Sequence, residues 1–241
     1  MERFNQTHVL ISQDDGSFRF KIKVTRLPDD LYPESVDGVK ITNQALSRYY
    51  ALEKRLHSQR NGVLKKGVQE RVQALIDEGI IKEIGNWEDH KDEFMKPQTK
   101  DKECILLPWQ CVIDNSKTME HSRIRLCLDA TEANRLIYKI DADMPSIIEM
   151  LVLWRLNRFW CFLDLKSMFW SILTDESDCK LQHCVFRFSQ EEKLKLYSFV
   201  RCVMGMCDSP GLARLVLLKL AEKLEDEFPN AKEAVQKQTY R

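Results

Sequence analysis

Apolar and polar positions along the chain alternate between two periods. Phe18, Phe20, Ile22 and Val24 interleave with Arg19, Lys21 and Lys23 after an Asp14-Asp15-Gly16 turn, which predicts a half-buried strand with a basic outer face. Leu27-Pro28 stops that strand, and a polar stretch containing Pro33 and Gly38 predicts a loop to about Lys40. Ala45, Tyr49, Leu52 and Leu56 then recur at helical steps behind Thr42-Asn43 as caps. Leu64, Val68, Val72 and Leu75 do the same before Gly79, so two amphipathic helices are expected, followed by a short strand over Gly79-Ile80-Ile81-Lys82-Glu83-Ile84. Residues Gly85 to Lys102 are charged and polar and read as a flexible connection.

Leu106 to Ile113 and Arg123 to Leu128 predict a hairpin across Asp114-Asn115-Ser116-Lys117. Asp143-Met144-Pro145 marks a helix start, and Ile147, Met150, Leu151 and Trp154 give that helix one apolar face. The run from Phe159 to Ile172 is nearly uninterrupted in its apolar character and reads as a central strand buried on both faces, with the preceding helix packed beneath it. Asp164 lies inside this run. A carboxylate there requires a hydrogen bond, a cation or a metal, so Asp164 either caps the following turn or serves a site. Thr174 to Asp178 predicts a loop in which Asp175 and Asp178 are solvated turn and cap residues. Cys184 to Phe188 and Leu194 to Val203 form a second hairpin over Ser189-Gln190-Glu191-Glu192. Ser209-Pro210 opens a last long helix as cap and first turn, burying Leu212, Leu215, Val216, Leu218 and Leu224. Mixed order of strands and helices makes the fold class α+β.

A chain of 241 residues with 44% apolar composition can bury a sizeable core. Lys plus Arg equals Asp plus Glu at 37 each, so any attraction for nucleic acid has to come from a local patch rather than from net charge. Eight cysteines without a C-x-x-C pair read as reduced core thiols, with Cys179, His183 and Cys184 leaving a zinc site open. No signal peptide and no run of eighteen apolar residues is seen, and the expectation is a soluble intracellular protein, cytoplasmic or nuclear, without a membrane partner.

Asp164 with Phe169 five residues on, and Met204-Gly205 followed by Ser209-Pro210 and an apolar helix, together resemble the fingers and palm of a reverse transcriptase. The order of pieces is most similar to the Pol polyprotein of an LTR retrotransposon, nearer the BEL/Pao group than the Ty3 group. That resemblance implies residues 1–62 as an N-terminal strand, loop and first helix, and 63–241 as reverse-transcriptase-like fingers and an incomplete palm. It implies RNA-directed DNA polymerase ancestry: template-primed nucleotidyl transfer with two Mg2+ (or Mn2+) ions. Asp164 is then the catalytic metal ligand, assisted by the main-chain carbonyl of Leu165. Arg125, Leu165, Phe169, Met204 and Gly205 face the deoxynucleotide. Arg125 lies over the triphosphate, where a permanently charged guanidinium suits phosphate oxygens, and Phe169 lies under the sugar. Taken without the family, Arg125 is a sheet-surface arginine and Phe169 a core aromatic. Asp129, Asn134, Ser209 and Pro210 face the RNA/DNA template-primer.

Val203-Met204-Gly205 stands where the family commonly has proline, then phenylalanine or glutamine, then glycine. The family's strand with two adjacent aspartates is expected after the last helix, where the sequence reads Tyr240-Arg241 and stops. The expectation is a truncated polymerase domain, inactive alone, or else a non-catalytic remnant that binds nucleic acid or protein. An unrelated α+β interaction domain is the third reading. No protease, ribonuclease H or integrase signature is recognisable.

Overall fold

A computed structural model describes residues 8–12, 18–22, 24, 27–33, 36–58, 62–100, 102–113, 124–139, 146–156, 158, 164–227 and 229. The elements are β1 (His8–Ser12), β2 (Phe18–Ile22), α1 (Gly38–Leu56), α2 (Gly62–Asp77), β3 (Ile81–Asn86), α3 (Trp87–Phe94), β4 (Trp109–Ile113) and β5 (Ile124–Leu128). A short α4 (Thr131–Asn134), α5 (Ile147–Leu156), β6 (Ile172–Thr174), β7 (His183–Phe186), β8 (Lys195–Phe199) and α6 (Ser209–Lys223) complete the α+β chain. Among the described residues no helix is long and apolar enough to cross a membrane.

Strands β3, β8 and β7 form an antiparallel sheet with β8 in the middle, so every residue from Leu196 to Phe199 is buried. The expected hairpins over β4 and β5 and over β7 and β8 both form. The N-terminal strand β2 pairs antiparallel with β1 and parallel with β6, which ties the start of the chain to a strand 152 positions later. Main-chain bonds from Leu107 N to His183 O and from Cys202 N to Ile172 O join neighbouring sheets. The principal core gathers Tyr49, Val68, Leu106, Leu136, Phe186 and Leu196, with α1 and α2 laid against it. Gly67 lets α2 sit directly on the Ile124 side chain of β5. Beyond β7, Arg187 reaches α1, where Nε and Nη2 donate to Glu53 Oε1 and Oε2 at 2.6 and 2.8 Å. Tyr49 Oη donates to the same carboxylate at 3.2 Å.

Several expectations are corrected. Helix α1 starts four residues before Thr42, because Asp37 accepts from Lys40 N at 2.9 Å; Thr42 lies inside the helix and its hydroxyl donates to Phe94 O. The stretch after Gly85 is no flexible connection. Trp87 and Phe94, seven residues apart, lie on one face of α3, both buried with ring centroids 5.1 Å apart. Buried Gln98 then binds the carbonyls of Glu93 and Lys96 and the Cys104 amide, which fixes the following loop. Helix α5 forms, but Ile147, Leu151 and Trp154 remain exposed. Asp178 is buried rather than solvated and accepts from Val24 N at 2.7 Å. Ser209 is not the cap of α6, since Asp208 occupies that position and the Ser209 hydroxyl donates to Val203 O at 2.8 Å.

The largest correction concerns the central strand. Residues 159–163 lie outside the described residues, as do the Asp114–Lys117 turn and Asp143–Pro145. From Asp164 onward the backbone is not a strand: Asp164 and Leu165 are exposed, and Ser167 adopts φ 55°, which no extended chain allows. A 3-10 turn over Met168–Ser171 follows, and strand pairing resumes only at Ile172.

Candidate functional site

A cavity of about 670 Å³ opens between α2, β5, the 3-10 turn and the Met204-Gly205 loop. Arg71 on α2, Arg125 and Cys127 on β5, Trp170 on the turn, and Met204 and Gly205 all line it. Each comes from a different kind of local structure. Alternation along β5 buries Ile124 and Leu128 and leaves Arg125 and Cys127 exposed. On α2 the stripe of Val68, Val72 and Leu75 faces the core, so Arg71 emerges at the rim.

Gly205 has φ +107°, a conformation that a side chain strongly disfavours. Asn134 holds this loop in place. Its amide nitrogen donates to Gly205 O at 2.9 Å and its amide oxygen accepts from Cys207 N at 2.8 Å. Val203 is buried beside the loop while Met204 stays exposed.

Among the described residues, the cavity lining carries two guanidinium groups, Arg71 and Arg125, and no carboxylate. The Arg71 guanidinium carbon lies 5.6 Å from the Trp170 ring centroid, a cation–π contact across the cavity mouth. In a protein with no net charge, this is a local patch of the kind nucleic-acid or nucleotide binding requires.

The other expected residues are placed differently. Asp129 lines a second cavity, of about 740 Å³, with Lys40 and Arg48. There its carboxylate accepts from the Thr131 hydroxyl and backbone amide and pairs with Arg48, which together hold it down at about 2. Phe169 packs against the small core cluster of Ile172, Cys202, Leu212 and Ala213. Its neighbour Trp170 lines the cavity instead. In a 3-10 turn successive side chains diverge by a third of a turn, so a one-residue step exchanges core for cavity. Ser209 is buried beneath the loop and Pro210 is exposed at the start of α6.

Asp164 and Leu165 are at the surface and are not among the residues lining the cavity. Among the described residues no group of three or more His, Cys, Asp or Glu side chains is placed to hold a metal ion. Cys179 Sγ donates to the Asp175 carbonyl, His183 Nδ1 lies 2.9 Å from the Lys180 carbonyl, and Cys184 is buried in the core.

Trp170, Arg71 and Cys127 are among the cavity residues that the sequence did not single out for a site. Of these only Cys127 carried a signal, its alternation with Ile124 and Leu128. No protein-family model and no curated protein matches the chain.

Proposed function

We propose that this chain is a reverse-transcriptase-like domain of retrotransposon Pol descent that grips a template-primer and a nucleotide at the Arg125–Gly205 cavity. One observation carries the reading. Arg125, Met204 and Gly205, up to 80 positions apart in sequence, line one cavity with a cationic rim, as a nucleotide-facing set must. A fixed cation for phosphate and a glycine that lets backbone approach the ligand are the two chemical needs of such a site.

Exposed Asp164, away from that lining, favours binding without chemistry for this polypeptide by itself. A two-ion transfer needs several converging carboxylates, and among the described residues none is grouped with Asp164. The polypeptide is therefore expected to bind an RNA–DNA template-primer and leave the primer unextended.

The test is a titration of a labelled template-primer over a salt series. Affinity should fall steeply as salt rises, and Arg125→Ala should lower the slope of log K against log salt by about 1. Absence of binding at low salt overturns the proposal. Salt-independent binding of a protein partner would point to the interaction-domain reading instead.

A further inference from the structure

Arg71 and Trp170 fall outside the residues the proposed function uses, yet they meet across the mouth of its cavity. Resting on that reading, we propose that this pair is the second half of the nucleotide site: Arg71 joins Arg125 on the triphosphate, and Trp170 supplies the face on which the base stacks.

Three observations converge on this. First, among the described residues Arg71 and Arg125 are the charged residues in the lining, one on α2 and the other on β5. A polyphosphate carries several charges, and two forked guanidinium groups match it better than one. Second, Trp170 is half-buried, held by the 3-10 turn, and lines the cavity, with Arg71 over part of its ring. Aromatic faces accept bases of any sequence, at a strength worth roughly tenfold or more in affinity. Third, Arg71 rests on that ring and no carboxylate stands in the lining among the described residues, so an entering phosphate meets a cation at the cavity. The remaining wall is apolar, with Leu126 and Met204 among its residues, which disfavours a small hydrated anion and favours a ligand with a ring attached.

The test uses three probes: thymidine 5′-triphosphate, inorganic tripolyphosphate and thymidine, each titrated calorimetrically into the full chain. Arg71→Ala should weaken the triphosphate and tripolyphosphate about tenfold each and leave thymidine unchanged. Trp170→Leu should weaken the triphosphate and thymidine and leave tripolyphosphate unchanged, while Trp170→Phe should restore most of the loss. Bound triphosphate should also slow alkylation of the cavity thiol Cys127 relative to Cys104, read by peptide mass mapping in the wild-type chain. Arg71 is exposed on its helix, so its removal spares the core, and urea unfolding of each variant verifies this. Equal affinity of wild type and both variants for the triphosphate overturns this inference while leaving the proposed function standing. No triphosphate binding by the wild-type chain, together with no template-primer binding, overturns both.

Discussion

Asn134 and Gly205 are joined by a single hydrogen bond of 2.9 Å, and through it a residue at the end of α4 sets the shape of a loop 71 positions away. Since the other end of the same amide binds Cys207 N, one side chain spans the loop on both flanks. The Asn134 side chain is thus committed to main-chain partners inside the protein. On the proposed function, its part in template-primer binding is to hold the Gly205 loop.

Replacing Asn134 by Ala should destabilise the protein by about 1–3 kcal/mol, because a donor and an acceptor of the loop lose their partner together. Asn134→Asp keeps the acceptor for Cys207 N but sets an anion against Gly205 O, so it should recover little. Urea unfolding measures both. A variant as stable as wild type would show that the loop holds itself.

Gly205→Ala tests the loop from its other side. At φ +107° any Cβ is strained, and the added methyl would also sit 3.5 Å from Leu128 O. The expected cost is about 1–3 kcal/mol, with weaker nucleotide binding in the same variant. Thermal unfolding and calorimetry on one preparation separate the two effects.

The Glu53–Arg187 pair supports the fold away from the cavity. Glu53 is buried and doubly bonded by Arg187, so removing either partner leaves the other without its counter-charge; Arg187→Ala should cost about 3 kcal/mol. Chiefly through the Arg187 hydrogen bonds, the Glu53 carboxyl titrates below its ordinary 4.5. A depressed carboxyl stabilises the fold above its unfolded pKa, and this contribution disappears as pH falls through the folded value. Wild type should therefore lose stability below about pH 4 more steeply than Glu53→Gln. Parallel pH curves for the two proteins would contradict the assignment.

Asp129 offers a second acid-side signal, held near 2 first by the Thr131 hydroxyl and then by Arg48. Thr131→Val should raise its pKa more than Arg48→Ala does, as read by carboxyl NMR titration. The pair is partly exposed and solvent-screened, so its contribution, complete above about pH 4 and lost toward pH 2, should be about 1 kcal/mol. The reverse order of the two substitutions would mean that the ion pair dominates.

Helices α1 and α2 and both central hairpins were legible because their periodicity is set by residues that do become buried, among them Tyr49, Val72 and Leu196. In α6, by contrast, only Leu212 of the five expected residues is buried, and Leu215, Val216, Leu218 and Leu224 are half-buried. Helix α3 was hidden by its charges: only Trp87 and Phe94 face inward, and two apolar residues make no visible stripe. Apolar content misled most after Asp164. Leu165, Met168 and Phe169 look like strand residues, but the positive φ at Ser167 turns the chain, a choice made by tertiary packing rather than by hydrophobicity. In the candidate site, Arg125, Met204 and Gly205 were picked out through the family resemblance. The Arg71–Trp170 contact was not, since it joins two segments 99 positions apart with no local pattern in common.

The measurement that tests the central claim most directly is photocrosslinking of a template-primer carrying 5-iododeoxyuridine at the primer terminus, followed by peptide mapping. The account predicts crosslinks in the peptides containing Arg125–Cys127, Trp170 and Met204, reduced together by Arg125→Ala. Crosslinks confined to other surfaces, such as the Arg48–Asp129 cavity, would contradict it.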